Sequence, residues 1–141
     1  MHACVFCRVR GGSARASVVH QDDLVLAFMD LMPINPGHVL VVPRMHATGL
    51  GEVPDQVGAR MWSLGRRLGG ALRASPVRCE GVNLFLADGA AAFQTVFHAH
   101  LHVIPRFTGD SFPLQGPRAQ APRRELEEGA AQLRELLAHV H

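Results

Sequence analysis

The chain has 141 residues, of which 48% are hydrophobic and 18% charged, so its composition indicates one compact domain and excludes a chain that is disordered throughout. Its 14 basic residues, all arginine, nearly balance 12 acidic residues, and a net charge of +2 argues against nucleic acids or membrane surfaces as partners. No apolar run approaches the ~20 residues of a membrane span, and the amino terminus does not resemble a signal peptide, so we expect a cytoplasmic protein.

The first half of the chain predicts strands followed by a helix. Apolar runs bounded by turn residues predict strands, and such runs fall at 18–19, 24–29 and 38–42. From Pro54 to Ala74, apolar residues recur at steps of three and four, which predicts an amphipathic helix.

The second half predicts two more strands, 82–87 and 97–105, and a helix over 123–140. Strands joined by hairpins with one long helix beside them favour the α+β class with an antiparallel sheet. We expect residues 1–107 to form the main domain and residues 108–141 to add a loop and a helix that complete the same domain.

Two of the three cysteines, Cys4 and Cys7, form a C-x-x-C pair. In a reducing compartment this spacing favours metal binding or redox chemistry over a structural disulfide. A thioredoxin-like redox role would need Cys4 at the amino terminus of a helix in a βα unit, which the sequence does not predict.

Three histidines, His98, His100 and His102, alternate with apolar residues. In a strand this alternation places the three imidazoles on one face and the apolar side chains on the other. At roughly 3.3 Å per residue, neighbouring imidazoles stand about 6.6 Å apart, so two could bind one metal ion but all three could not. Neutral imidazole is also a nucleophile toward phosphorus when one ring nitrogen is held as a donor. The residues alone leave both uses open.

Residues 98–104 resemble, at every position, the run His-φ-His-φ-His-φ-φ (φ apolar) that defines the histidine triad (HIT) family of nucleotide hydrolases and transferases. The resemblance covers roughly residues 4–107, including the C-x-x-C pair, Leu26–Asp30 before a proline loop, and Gln94–Thr95 before the triad. It implies a five-stranded antiparallel sheet with two helices, paired into a homodimer.

The resemblance also implies roles for individual residues. His100 corresponds to the nucleophile that forms a covalent nucleotidyl-histidine, His102 to a contact with the phosphate and leaving group, and His38 to a supporting histidine. The implied nucleotide contacts are Phe6 and Val9 at the base, Asp30 at the ribose with Leu31 beside it, and Gln94, Thr95 and His102 at the phosphates.

In metal-bearing members of the family, the cysteine pair is joined by two histidines. The positions that correspond to these ligands are Cys4, Cys7, His46 and His98. Such a Cys2His2 set suits tetrahedral zinc, closes its coordination shell and leaves His100 free, which implies a structural zinc ion. The alternatives are a free thiol pair beside a solvated His46, and a catalytic metal ion held by His98 and His100.

Two positions depart from the family pattern: Ala87 replaces an asparagine that binds phosphate in many members, and Phe93 replaces a glycine. The leading hypothesis is an enzyme that cleaves a phosphoanhydride or phosphoramidate bond at the α-phosphate of a purine nucleotide or dinucleotide through a nucleotidyl-His100 intermediate. The two departures keep open a nucleotide-binding or sensing module without turnover. A dinucleoside polyphosphate phosphorylase is a further alternative.

Overall fold

The computed structural model describes residues 4–113 and 115–140. Its helices and strands are α1 (Val5–Arg10), β1 (Val18–Gln21), β2 (Val25–Met29), β3 (Val39–Pro43), α2 (Asp55–Ala74), β4 (Gly81–Leu86), β5 (Leu101–Arg106) and α3 (Arg123–Leu137), with short 3-10 turns at Leu50–Glu52 and Ala90–Ala92. The chain divides into two compact units, residues 1–111 and 112–141.

The first unit contains an antiparallel sheet of five strands in the order β1-β2-β3-β5-β4. Strands β2 and β3 pair along their full length, from Val25 opposite Pro43 to Met29 opposite Val39. Strand β5 lies between β3 and β4, so the histidine segment that leads into it reaches the middle of the sheet. The predicted α+β class and five-stranded antiparallel sheet are confirmed.

Strands β2 and β3 are buried on both faces because each face has its own helix. The sheet residues that face α2 are Val25, Ala27, Val39, Val41, Leu101 and Val103. On the opposite face, Phe6 of α1 packs with the sheet residues Leu26, Phe28, Leu40 and Val42. Alternation along β3 therefore places His38, two residues before Leu40, on the α1 face of the sheet.

The short helix α1 was not predicted from the sequence. Its six residues are too few for a periodic apolar pattern to reveal. Cys4 caps the helix, and its Sγ accepts the Cys7 backbone N–H at 3.4 Å. The redox argument thus needs correction, since Cys4 does lie at a helix amino terminus, although α1 follows no described strand and forms no βα unit.

The second unit contains α3, whose apolar residues Leu126, Leu133, Leu136 and Leu137 are exposed. Arg124 Nε donates to Glu128 Oε1 across one helical turn at 2.9 Å. That residues 108–141 complete the domain of the first unit stays a prediction. Among the described residues, no helix is both long enough and apolar enough to cross a membrane.

Gly65 lets α2 approach the sheet closely. A Cβ at this position would lie 3.0 Å from Leu101 Cδ2 and 3.6 Å from Leu84 Cδ2, whereas a Cβ at Gly70 would have no neighbour within 4 Å. Glycine lowers helix stability by about 1 kcal/mol relative to alanine. The packing against β4 and β5 therefore explains the glycine at 65 but not the one at 70.

Gly65→Val and Gly70→Val change helix propensity equally, but we predict that they affect the free energy of unfolding differently. Gly70→Val should leave the free energy of unfolding unchanged or raise it by a few tenths of a kcal/mol. Gly65→Val should lower it by about 1–2 kcal/mol because the side chain overpacks the core. Urea denaturation measures both values, and equal effects of the two substitutions would contradict the close-approach argument.

Candidate functional site

A cavity of about 920 Å³ opens on the α1 face of the sheet. It is lined by apolar side chains of α1 and the sheet together with imidazoles and one carboxylate. The predicted site residues that line it are Phe6, Val9, Asp30, Leu31, His38, Thr95, His100 and His102. The fold therefore brings together residues from five separate parts of the sequence.

The histidine triad does not lie in one continuous strand. A strand was predicted over 97–105, but β5 begins at Leu101, so the first two triad histidines precede it. The Ala99 N–H donates to the Ala47 carbonyl at 2.7 Å, and this backbone hydrogen bond holds the segment that precedes β5. Alternation nevertheless persists, since Ala99 and Leu101 are buried while the imidazoles share the α1 face.

The imidazoles lie closer together than an ideal strand predicts. The ring centroids of His100 and His102 are 4.8 Å apart. The Phe6 ring packs edge-on against His98 and His100, with centroid distances of 5.9 and 5.1 Å. The rings of His100 and His102 are thus neighbours, and the Phe6 ring of α1 covers those of His98 and His100.

A backbone donor fixes the proton positions in the cluster. The Ile34 N–H donates to His38 Nδ1 at 3.0 Å, so neutral His38 carries its proton on Nε2. That Nε2–H faces His102 Nδ1 at 2.9 Å, and His102 Nδ1 must accept. Neutral His102 consequently carries its own proton on Nε2 and can act as a donor in the cavity.

The loop that carries this donor is itself anchored. Asn35 Nδ2 donates to the Pro105 carbonyl and to Asp110 Oδ2, both at 2.9 Å. Arg106 holds Asp110 through two hydrogen bonds of 2.6 Å. Because Asn35 follows Ile34 directly, these bonds position the Ile34 amide relative to β5.

The ring of His100 is held in the opposite tautomer. Its Nδ1–H donates to the His98 carbonyl at 2.8 Å, which leaves the lone pair on Nε2. Among the described residues, no group forms a hydrogen bond with His100 Nε2. Every buried side-chain nitrogen or oxygen among them has a hydrogen-bond partner, so Nε2 is not a buried atom. The Nε2 atom therefore reaches the cavity, with a lone pair beside the donor of His102.

Burial keeps the cavity histidines uncharged. It lowers the pKa of His38 and of His100, although the Asp30 carboxylate opposes the shift at both. Burial also lowers the pKa of His102 to about 4, with further lowering from the charges of His100 and His38. At neutral pH the cavity thus presents a nucleophilic lone pair and a neutral donor, the arrangement that covalent catalysis by histidine requires.

Gln94 is not brought into the cavity lining, unlike its neighbour Thr95. Its side chain is buried, Oε1 accepts the Gly89 N–H at 2.8 Å, and Nε2 donates to the Thr48 and Val96 carbonyls at 2.7 and 3.1 Å. All its hydrogen-bonding groups serve the backbone. The geometry assigns Gln94 to bracing the loop rather than to the predicted phosphate contact.

Both departures from the family pattern have structural consequences. Phe93 adopts a left-handed backbone conformation, with φ of 69°, and its side chain is 83% exposed. This conformation costs a residue with a Cβ about 1–2 kcal/mol, whereas glycine, which the resemblance implies at this position, adopts it freely. Ala87 is buried and offers no side-chain donor.

The four predicted metal ligands converge on one point. The side-chain ligand atoms of Cys4, Cys7, His46 and His98 all lie within 4.8 Å of one another. The Sγ–Nδ1 distances are 3.4 Å for Cys4–His98, 3.3 Å for Cys7–His46 and 3.5 Å for Cys7–His98. Tetrahedral zinc with usual bond lengths places sulfur and nitrogen ligands about 3.6 Å apart, so this donor set fits the ion.

His98 is oriented for such a role. Its Nε2–H donates to the Pro43 carbonyl at 2.8 Å, which leaves the Nδ1 lone pair directed at the cysteines. Both ring nitrogens thus face away from His100, which opposes the alternative of a catalytic metal held by His98 and His100. Burial raises the pKa of the Cys7 thiol in the absence of a metal ion, so a metal ion that binds there displaces a proton.

A second cluster, Asp30, His38 and His102, also has ligand atoms within 4.8 Å of one another. Here the proton on His38 Nε2 occupies the position that a metal ion would need. The cluster is therefore a hydrogen-bonded group, with His38 Nε2 3.4 Å from Asp30 Oδ2.

Sequence reasoning missed three contributions to the site. These are the Ile34 N–H, the capping of α1 by Cys4, and Arg15, which lines the cavity. A backbone amide such as that of Ile34 cannot be identified from the residue type. Nothing in the sequence distinguishes Arg15 from the other arginines. Only the folded arrangement distinguishes it.

We predict that His102 makes stability depend on pH in the acidic range. Its pKa falls from near 6.5 to about 4 on folding, so between these values the unfolded chain binds a proton that the folded chain does not. The free energy of unfolding should therefore decrease as pH falls from about 6.5 to about 4. Urea titrations at several pH values measure this dependence, and His102→Asn should make the free energy of unfolding depend less on pH. His139→Asn at the surface is the control and should leave the dependence unchanged. The same dependence in His102→Asn as in the wild type would contradict the prediction.

Comparison with known proteins identifies the family. The model of the HIT domain matches residues 12–109. An uncharacterised HIT-like protein of Mycobacterium tuberculosis is 38% identical over 136 residues, covering 92% of this chain and 94% of its own. An adenylylsulfatase of Arabidopsis thaliana is 36% identical over 103 residues, covering 73% and 52%. A zinc-bound histidine triad family protein of Mycobacterium smegmatis is 38% identical with a TM-score of 0.75, covering 95% and 97%. The chain therefore belongs to the HIT domain family.

Proposed function

We propose that the protein is a nucleotide hydrolase or transferase that cleaves at the α-phosphate of a purine nucleotide or dinucleotide. The observation that carries this proposal is the neutral His100, whose Nδ1–H is held by the His98 carbonyl while Nε2 opens into the cavity. A histidine that only filled space would not need this orientation, and His100 belongs to neither of the two described residue clusters that could hold a metal ion.

The cavity suits a nucleotide in size and chemistry. Its volume of about 920 Å³ lies in the range of small-molecule sites. Phe6 and Val9 offer an apolar wall to a base, and the Asp30 carboxylate can accept hydrogen bonds from ribose hydroxyls. Asp30 is partly occupied, since its Oδ1 accepts the Met32 N–H at 2.8 Å, but Oδ2 remains near His38 and the cavity.

In the first step, His100 Nε2 attacks the α-phosphorus and forms a P–N bond while the bond to the leaving group breaks. The Nε2–H of His102 donates a hydrogen bond to the leaving atom, so that a phosphate leaves as its anion and an amine takes a proton from solvent, while Nδ1–H of His100 stays hydrogen-bonded to the His98 carbonyl as charge develops on the ring. In the second step, water attacks phosphorus, the P–N bond breaks, the proton that water loses passes to solvent, and His100 is released as the neutral ring. Each histidine returns to its starting protonation.

The adenylylsulfatase among the relatives supports a substrate with a nucleotidyl phosphate. The proposal extends to a homodimer, which the resemblance implies, and to the cytoplasmic location that we expect.

A trapped intermediate tests this mechanism. When the protein is denatured early in a reaction with α-³²P-labelled dinucleoside polyphosphate or nucleoside phosphoramidate, we expect acid-labile label on the chain. His100→Ala should lose the label and lower turnover by at least about 1,000-fold, the scale of losing a nucleophile. His139→Ala is the matched histidine control and should keep both.

The same experiment separates the alternatives. Tight nucleotide binding by the wild type with no label and no turnover would favour the sensing module, and unchanged turnover in His100→Ala would exclude the mechanism. Repeating the reaction with inorganic phosphate distinguishes a phosphorylase, whose product would carry one additional phosphate.

We also propose that Cys4, Cys7, His46 and His98 hold a structural zinc ion, supported by their geometry and by the zinc-bound relative. Bound there, zinc would link α1, the segment after β3 and the start of the triad without an open coordination position.

This zinc proposal predicts one zinc ion per chain by atomic emission. Cys7→Ser should lose the metal and lower the melting temperature by several degrees, and a strong chelator should do the same to the wild type. Cys79→Ser is the control, because Cys79 Sγ contacts the Gly81 carbonyl outside the cluster. Full stability of metal-free wild type would refute a structural role.

A further inference from the structure

Arg15 gives the cavity a cation that neither the triad nor the metal cluster uses. It lies on the segment between α1 and β1 and lines the cavity with the adjacent Ala16 and Ser17. Within residues 4–113 and 115–140, its guanidinium has no hydrogen-bond or ion-pair partner. An arginine of this kind keeps its donors available for a ligand.

The segment that carries Arg15 is held on both sides. The Ala14 N–H donates to the Arg8 carbonyl at 3.1 Å, and the Ser17 carbonyl accepts the Met29 N–H at 3.0 Å. These bonds fix Arg15 between the end of α1 and the end of β2. Its neighbour Ala16 packs against the same apolar cluster as Val9, so Arg15 adjoins the part of the lining that we assign to the base.

We propose that Arg15 reads the base and favours 6-oxopurines, guanine and hypoxanthine, over adenine. This inference rests on the proposed function, since it assumes a purine nucleotide with its α-phosphate at His100. A guanidinium offers two parallel N–H donors, which match the adjacent O6 and N7 acceptors of a 6-oxopurine. Adenine places an amino donor beside N7, so it can satisfy only one of them.

Other anionic partners fit Arg15 less well. A phosphate on the ribose would lie near the Asp30 carboxylate, which lines the same cavity and would repel it. The α-phosphate belongs beside His100 and His102, whose donors and lone pair face it. In a nucleoside monophosphate, the part of the substrate used in the test below, the base edge is what remains for Arg15.

Binding of monophosphates tests the inference without turnover. Calorimetric Kd values for GMP and IMP should be about 5- to 10-fold lower than for AMP, the lower part of the range for a bidentate arginine contact, because Arg15 is exposed. Arg15→Ala should remove this preference by weakening GMP and IMP while leaving AMP nearly unchanged. Arg8→Ala, which removes an exposed arginine of α1 outside the cavity lining, should keep the preference.

Each other outcome has a definite meaning. Equal affinity of the wild type for the three nucleotides, or a preference that survives Arg15→Ala, would overturn the base-reading role and leave the proposed function intact. Equal weakening of all three by Arg15→Ala would also overturn it, because that result indicates attraction to phosphate alone. An Arg15-dependent gain for adenosine 3′,5′-bisphosphate over AMP would assign Arg15 to a ribose phosphate instead. Absence of binding by any monophosphate to the wild type would refute the nucleotide site itself, and the inference with it.

Discussion

The hydrogen bond from the Ile34 N–H to His38 Nδ1 sets the chemistry of the cavity. A backbone amide can only donate, so it determines which nitrogen of His38 carries the proton, and His38 in turn determines the proton of His102. Burial keeps these rings neutral, so the pattern holds at physiological pH. Without that single donor, the ring of His38 could turn its lone pair toward His102, and the donor facing the substrate would be lost.

The layers on both faces of the sheet shield the hydrogen bonds of His38 from water. Strands β2 and β3 are covered on both faces, which excludes water from His38 directly before β3, where its side chain is 1% exposed. The Asn35 bonds to the Pro105 carbonyl and to Asp110 fix the loop that supplies the Ile34 amide. The Arg106 guanidinium holds the pKa of Asp110 far below its usual range, so that anchor stays charged. Asn35, Arg106 and Asp110, which do not line the cavity, thus hold the loop whose Ile34 amide fixes the proton positions of His38 and His102.

Sequence patterns predicted the features that repeat or that depend on side-chain type. The alternation around His100 identified the face of the triad, and the apolar spacing from Pro54 to Ala74 predicted α2 closely. The patterns did not predict α1, whose six residues depend on the Cys4 cap and on packing of Phe6. Nor could they predict that Gln94 would turn to the backbone, because a polar side chain beside a ligand loop has the same residue type whether it binds the ligand or braces the loop.

His98 joins the two halves of the site through different atoms of one residue. Its Nδ1 lies among the cysteines and its Nε2–H is held by the Pro43 carbonyl, while its own backbone carbonyl accepts the Nδ1–H of His100. A ligand cluster that immobilises the His98 side chain therefore also limits movement of the carbonyl that orients His100. In the proposed reaction, this carbonyl stabilises the charge that develops on the attacking ring, so rigidity at the cysteine cluster favours the correct tautomer at the nucleophile. The alternating sequence makes this possible, because a single residue, Ala99, separates His98, which we propose binds metal, from His100, which must stay free of metal.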